Sequence, residues 1–347
     1  MTSRLQPVLA ASWLVIVVLL GGVLVAGREV LIPLALAIVI WQLVNAIARL
    51  YRRVRIRGQT APRWARFVLA LVTIALGLYL AIDVIASNVA QVSQAAGAYE
   101  ESLQRMLAAL RARFDITAAP PASRLLEGID IGGLVARLSS ALGILAGNIG
   151  LVLLYVVFLL FEQESFDRKI DALFPEPGRS AEVRRVLSDI EDRIARYLWI
   201  KTLLSVATAA LSWAVLKPVG VTFAEFWALI VFLLNFIPTI GSIFAVLLPT
   251  LLTLLQFAEA APVLIVLAGL GSVQFVLGNL LEPRLMGSSL NLSPMVMIVS
   301  LALWGSLWGV AGMFLCVPIT VMVMIVCAEF PATRPLAVLL SSTGRVV

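Results

Sequence analysis

With 347 residues, 61% of them hydrophobic and only 13% charged, the chain carries more apolar surface than a soluble domain of its size needs. Its mean hydropathy of +1.02 marks a polytopic membrane protein of all-α class. The absence of histidine excludes His-based zinc sites, histidine proton relays and Ser-His triads, and the net charge of +6 reflects basic cytoplasmic loops, because no long charge run or aromatic-basic interleaving points to nucleic acid.

About eight hydrophobic segments read as candidate spans, roughly 8–27, 29–50, 66–87, 143–162, 198–216, 224–256, 260–282 and 294–328. The first, Val8 to Ala26, is only superficially a signal peptide: it is long enough to span, and another apolar segment follows almost at once. After the second span come Arg52, Arg53, Arg55, Arg57, Arg63 and Arg66 with no acid between them. Such a loop stays in the cytoplasm, which places the N-terminus, and with eight crossings the C-terminus, on the same side.

Ile82, Ile85, Val89, Val92, Ala96, Tyr99, Leu103, Met106 and Leu110 follow a 3-4-3-4 spacing that leaves the membrane with the third span. This is a coiled-coil seam in an extracytoplasmic helical arm, with Gly97 as its weak point. The loop behind it holds Pro120-Pro121 and one short apolar helix, Ile131 to Leu142, so the seam wants partners from other copies of the chain. Packing on that short helix, or lying on the membrane surface, are the alternatives.

Between the fourth and fifth spans a mixed-charge stretch, opened by Phe174-Pro175-Glu176-Pro177-Gly178, becomes helical from Ser180. Val183, Leu187, Ile190, Ile194 and Tyr197 share one face of this cytoplasmic connector. No Walker lysine motif and no G-x-G-x-x-G occurs, which excludes ATP-driven transport within this chain. No catalytic constellation, metal site or cofactor motif is legible, so an enzyme is not expected. Cys316 and Cys327 lie in apolar sequence and read as small buried hydrophobes.

Two late segments, 224–256 and 294–328, would each make a helix of about 50 Å at 1.5 Å per residue, against a hydrocarbon core of about 30 Å. The first is interrupted at Asn235-Phe236-Ile237-Pro238-Thr239-Ile240-Gly241-Ser242, the second at Trp304-Gly305-Ser306-Leu307-Trp308-Gly309. Each then runs apolar to a proline, Pro249 or Pro318. A break at membrane depth survives only where protein or a water-lined cavity surrounds it. Paired interruptions of this kind point to a transporter site built from discontinuous helices, with Asn235, Pro238, Thr239, Gly241, Ser242, Gln274, Asn279, Gly305 and Gly309 along the substrate path. A packing kink is the plainer reading, and strong tilting absorbs part of the excess length. Pro283 restricts Glu282 towards extended geometry and is expected to end the seventh helix. Glu282 and Arg284 then serve either as helix-end anchors or as a coupling pathway.

At these residues the chain resembles the autoinducer-2 exporter family of bacterial inner-membrane proteins. The resemblance rests on Tyr197-Leu198-Trp199-Ile200-Lys201-Thr202, on Phe232 through Ser242, on Gly278-Asn279-Leu280-Leu281-Glu282-Pro283-Arg284-Leu285-Met286-Gly287, on Leu292-Ser293-Pro294, and on Trp304-Gly305 followed by Gly312 and Pro318. Many relatives carry Gly-Gln where Ile200-Lys201 stands here. The resemblance implies eight predicted spans, oligomeric assembly, and either export of the quorum-sensing signal autoinducer-2 or, in some members, sodium(lithium)/proton antiport.

The chain is thus expected to divide into N-terminal membrane helices (1–87), an extracytoplasmic arm (88–142), a membrane helix (143–162), a cytoplasmic connector (163–197), a C-terminal transport core (198–328) and a cytoplasmic tail (329–347). The leading expectation is a homo-oligomeric secondary exporter of a small polar metabolite, partnered by the bilayer. Asn235, Thr239, Ser242, Gln274 and Asn279 supply the hydrogen-bonding groups an uncharged polyhydroxy solute needs. Titratable groups for ion antiport are scarce: Glu282, with Asp83, Glu225 and Glu259 near span ends. A non-transporting scaffold built on the arm is the third class, and it leaves the breaks at Pro238 and Gly305 without a purpose.

Overall fold

A computed structural model describes residues 5–51, 55–56, 59–60, 62, 64–88, 131–287 and 290–345. Apolar segments become helices because lipid offers the backbone no partners, so each must satisfy its own N–H and C=O groups. The helices are α1 (Leu5–Ala26), α2 (Arg28–Tyr51), α3 (Trp64–Asn88), α4 (Ile131–Leu173), α5 (Pro177–Val219), α6 (Ala224–Leu234), α7 (Ile240–Phe257), α8 (Ala260–Gln274), a π-helical turn (Phe275–Leu281), α9 (Glu282–Met286), α10 (Pro294–Glu329) and α11 (Arg334–Leu340). Two-residue strands, Arg55–Ile56 and Gln59–Thr60, pair antiparallel between α2 and α3. Among the described residues six helices are long and apolar enough to cross a membrane, or seven with the bent pair in α4. Ile85 lies in α3, whereas Val89, Val92, Ala96, Tyr99, Leu103, Met106 and Leu110 of the expected seam fall outside the described residues.

Several boundaries differ from the sequence expectation. The short helix 131–142, the fourth span and the start of the connector form one 43-residue helix, α4, which bends by 64° between Gln163 and Ser165. The next helix begins at Pro177 rather than Ser180, since proline's fixed φ suits a helix's first turn. Pro283 does not end the seventh helix. Glu282 keeps helical angles (φ −56°, ψ −51°), and its N–H reaches the Leu277 carbonyl five residues back. The wider π turn absorbs the proline, whose missing N–H and ring clash would break a strict α-helix.

The chain forms two compact units. One comprises Met1–Gln42, Ile149–Ile194 and Leu290–Val347. In it α1 packs on α10, and Trp41 Nε1 donates to Gln163 Oε1 at 3.2 Å. Arg184 pairs with Asp167 and Asp171 across the α4–α5 turn, exposed contacts worth little each. Residues of the expected tail are docked: Leu292 bridges Ser341, Ser293 N–H donates to the Leu340 carbonyl at 3.0 Å, and the Asn291 side chain accepts from Ser342 and Thr343. Cys316 and Cys327 are free thiols, the former buried.

The second late segment lies in this unit and reverses. Ser300 Oγ donates to the Cys316 carbonyl at 3.2 Å and also bonds the Thr320 hydroxyl. In a straight helix Ser300 and Thr320 would stand about 30 Å apart. The backbone leaves helical geometry at Gly309 (φ 60°, ψ −138°), so α10 is a hairpin of two limbs, 294–308 and 310–329. Limb contact at the tip is close: a Cβ on Gly312 would sit 1.9 Å from the Trp304 carbonyl oxygen.

The other unit comprises Leu43–Asn148 and Ala195–Ser289. Its core gathers Leu216, Val221, Ala224, Leu252, Leu255, Val266 and Leu270 from α5 through α8. Here the first late segment also reverses. Gln256, at the end of α7, accepts from the Thr222 N–H at 2.8 Å and donates to the Gly220 carbonyl at 2.8 Å, just before α6 begins. The 11 residues of α6 reach about 16 Å, too short to cross. A Cβ on Gly241 would lie 1.8 Å from the Leu234 carbonyl oxygen, so the limbs of this hairpin also touch at its tip.

Candidate functional site

Along α5, Lys201, Ser205, Thr208 and Ser212 recur at 4-3-4 spacing, and all four are at most 5% exposed. That spacing draws a polar stripe down one face of the helix's apolar second half. Thr208 satisfies its hydroxyl on the Leu204 carbonyl at 2.8 Å. Ser205 and Lys201 instead reach other elements of the same unit.

Ser205 meets the hairpin tip. Asn235, 4% exposed, donates its Nδ2 to Ser205 Oγ at 3.0 Å. The tip continues through a half-buried Pro238 into Thr239, which is exposed and adopts φ 58°, ψ −62°. The Ile240 N–H bonds back to the Pro238 carbonyl at 2.6 Å, closing a three-residue γ-turn of the rare positive-φ kind around a β-branched residue. Such geometry stores about 1–3 kcal/mol and persists only where its surroundings hold it. Gly241 is buried and Ser242 half-buried on the outgoing limb.

Lys201 meets Glu282. Nζ and Oε1 stand 2.6 Å apart, with the side chains only 7% and 21% exposed. Glu282 lies on the inward side of the α8–α9 helix, after buried Val266, Leu270, Gln274 and Leu277. Arg284 is exposed beyond the pair, and Asn279 points to the exposed side as well.

Gln274 differs from its neighbours on that buried face. It is 7% exposed, and both Oε1 and Nε2 are buried without a hydrogen-bond partner. Thr202 Oγ1, adjacent to Lys201, is likewise buried and unpartnered. Orphaned polar groups cost about 1–3 kcal/mol each. By contrast, an open groove of about 330 Å³ between α5 and α6, lined by Val206, Ala209, Ala210, Trp213, Ala228, Leu229 and Phe232, offers a polar solute nothing to bond.

Of the sequence-predicted path residues, Asn235, Pro238, Thr239, Gly241, Ser242, Gln274 and Asn279 all belong to this unit, whereas Gly305 and Gly309 belong to the hairpin of the other. Lys201, Ser205, Thr208 and Ser212 were missed as a set, although their 4-3-4 polar spacing inside an apolar run was legible. Among the described residues no cluster of three metal-ligating side chains occurs.

The profile of the AI-2E family transporter matches residues 14–332. The chain is 30% identical to the AI-2 transport protein TqsA of Escherichia coli (strain K12), over 98% of this chain and 99% of that protein. It is 31% identical to the putative transport protein YhhT of the same strain, over 88% and 86% of the two chains. A putative transport protein of Haemophilus influenzae is 29% identical over 94% and 93%.

Proposed function

The chain belongs to the AI-2E transporter family, a membrane transporter and not an enzyme, and from that premise we propose that it exports a small, uncharged, polar metabolite of the autoinducer-2 kind across the bacterial inner membrane. The polar face of residues 195–289 carries the solute in this reading. The observation behind it is Gln274: a buried amide that offers both a donor and an acceptor, neither of them used. A polyhydroxy solute completes both at once, and it needs no fixed countercharge. Ion antiport would need a free titratable group at membrane depth, and the Glu282 carboxylate is already matched by Lys201.

The two hairpins serve this reading as segments that return to the face from which they start. Among the described residues the crossings are then α1, α2, α3, the limb 149–163, the apolar half of α5 and the α8–α9 helix, with α7 and α10 counted as returning limbs although each is apolar enough to span. An even count keeps both termini on the side of the arginine-rich loop, the cytoplasm by the positive-inside rule. The seam from Ile85 to Leu110 remains the proposed contact between copies of the chain.

The test is export of autoinducer-2 by cells producing the protein, read as signal in the medium against signal retained. Gln274→Leu is expected to lower export by at least about tenfold, the scale of losing two buried hydrogen bonds, with unchanged amounts of protein in the membrane. Undiminished export from that variant would remove Gln274 from the path. Identical export by cells with and without the wild-type protein would end the reading itself.

A further inference from the structure

The Lys201–Glu282 pair takes no part in the solute path proposed above. Its two charges lie in apolar helices and meet at 2.6 Å with 7% and 21% of their side chains exposed. Leaving either charge buried alone is costly, and a lone carboxylate at such a position recruits a cation. Among the described residues the groups that face Glu282 are few. The α7 helix carries no ionisable residue, and α8 carries none. Tyr197 is buried on α5 one turn before Lys201, and Arg284 is exposed. Among the described residues the charge paired with Glu282 is the ammonium of Lys201.

We propose that the Lys201 ammonium is a tethered substitute for a dissociable cation: it occupies the position on Glu282 that a free proton or alkali-metal ion would otherwise take, and so frees this chain from a coupling cation. The surroundings suit that exchange. Ser205 Oγ lies one turn from Lys201 along the same face. With the Glu282 carboxylate it is a hard oxygen donor of the type alkali cations accept once the ammonium is gone. The proposal concerns the cation alone and stands whichever solute is exported.

The test reads thermal unfolding of the purified full-length protein in detergent. Midpoints are compared in sodium, lithium and choline chloride at equal ionic strength, and across a series from about pH 5.5 to 8. The wild-type midpoint is expected to stay within about 1 °C throughout, whereas Lys201→Gln regains about 5 °C on adding sodium or lithium, or on lowering the pH. Recovery with the alkali ions identifies a metal cation, and recovery with acid alone identifies the proton; either supports the substitution. The double variant with Glu282→Gln should lose the response, because the carboxylate that holds the cation is gone. A wild-type midpoint that follows sodium, a Lys201→Gln variant as indifferent as wild type, or a response that survives in the double variant would overturn the proposal. Should Lys201→Gln fail to fold, wild-type proteoliposomes loaded with a pH-sensitive dye decide it. A sodium gradient should move no protons through them, and proton movement would refute the substitution.

Discussion

The hairpins 224–257 and 294–329 solve the same problem in opposite ways. Each reverses an apolar segment inside a region where lipid cannot bond a broken backbone. Each presses a glycine against a carbonyl of the opposite limb, Gly241 on Leu234 and Gly312 on Trp304. The second keeps its polar groups between its limbs, where Thr320 donates to the Cys316 carbonyl and the Ser300 hydroxyl bonds the Thr320 hydroxyl or that carbonyl. Its turn is a single glycine with positive φ, and Trp308 Nε1 ties the tip to the Leu24 carbonyl at 3.0 Å, near the end of α1 where helix carbonyls lack internal partners. The first turns its buried Thr250 and Thr253 hydroxyls onto carbonyls of their own limb and sends the amide at its tip outward, Asn235 to Ser205. Its turn holds a strained Thr239. One hairpin bonds its buried hydroxyls within itself and the other bonds its tip amide to the helix beside it, which is the arrangement expected of an element that borders a polar path.

The feature the hairpins share gives the largest expected effect. Gly241→Val and Gly312→Val each drive a side chain into backbone and should cost at least about 4 kcal/mol, beyond what a rotamer change relieves. Both variants should then fail to yield monodisperse protein from detergent extracts. Normal recovery of Gly241→Ala with an unchanged midpoint would disprove the close approach.

The difference between the hairpins is sharpened by Asn235→Leu. It strands the buried Ser205 hydroxyl and should lower stability by about 2 kcal/mol while cutting export by about tenfold or more. Ser300→Ala, inside the second hairpin, should cost about 1 kcal/mol and leave export nearly intact, because Thr320 still bonds the Cys316 carbonyl at 2.7 Å. Thermal unfolding and export measured on the same preparations separate the two. Equal losses of export from both variants would erase the distinction.

The smallest effect is expected at Thr239→Gly. Relief of the positive-φ strain outweighs glycine's greater unfolded entropy by about 0.5 kcal/mol, so the midpoint should rise by about 1–2 °C. Export should fall nonetheless if the held geometry of the tip matters to the path. A variant that gains stability and keeps full export would make the γ-turn a mere packing compromise.

Hydrophobic content and segment length set the class of this protein, because only helices long enough for the bilayer accommodate so apolar a chain. Local chemistry marked where the late segments can break, at Pro238 and Gly309, although Pro249 and Pro318 stand inside unbroken helical limbs. The direction the chain takes after each break was not legible: hydropathy is the same for a limb that crosses and one that returns. Contacts distant in sequence settled it, Gln256 with Gly220 and Thr222, and Ser300 with Thr320. Pro283 misled for a related reason, because the π turn that accommodates it is a matter of backbone geometry that residue preferences do not encode. The pairing of Lys201 with Glu282, 81 residues apart, and of Asn235 with Ser205, 30 apart, likewise belongs to tertiary structure. Sequence shows which polar residues an apolar helix carries, and only packing decides which of them find partners and which, like Gln274, are left open.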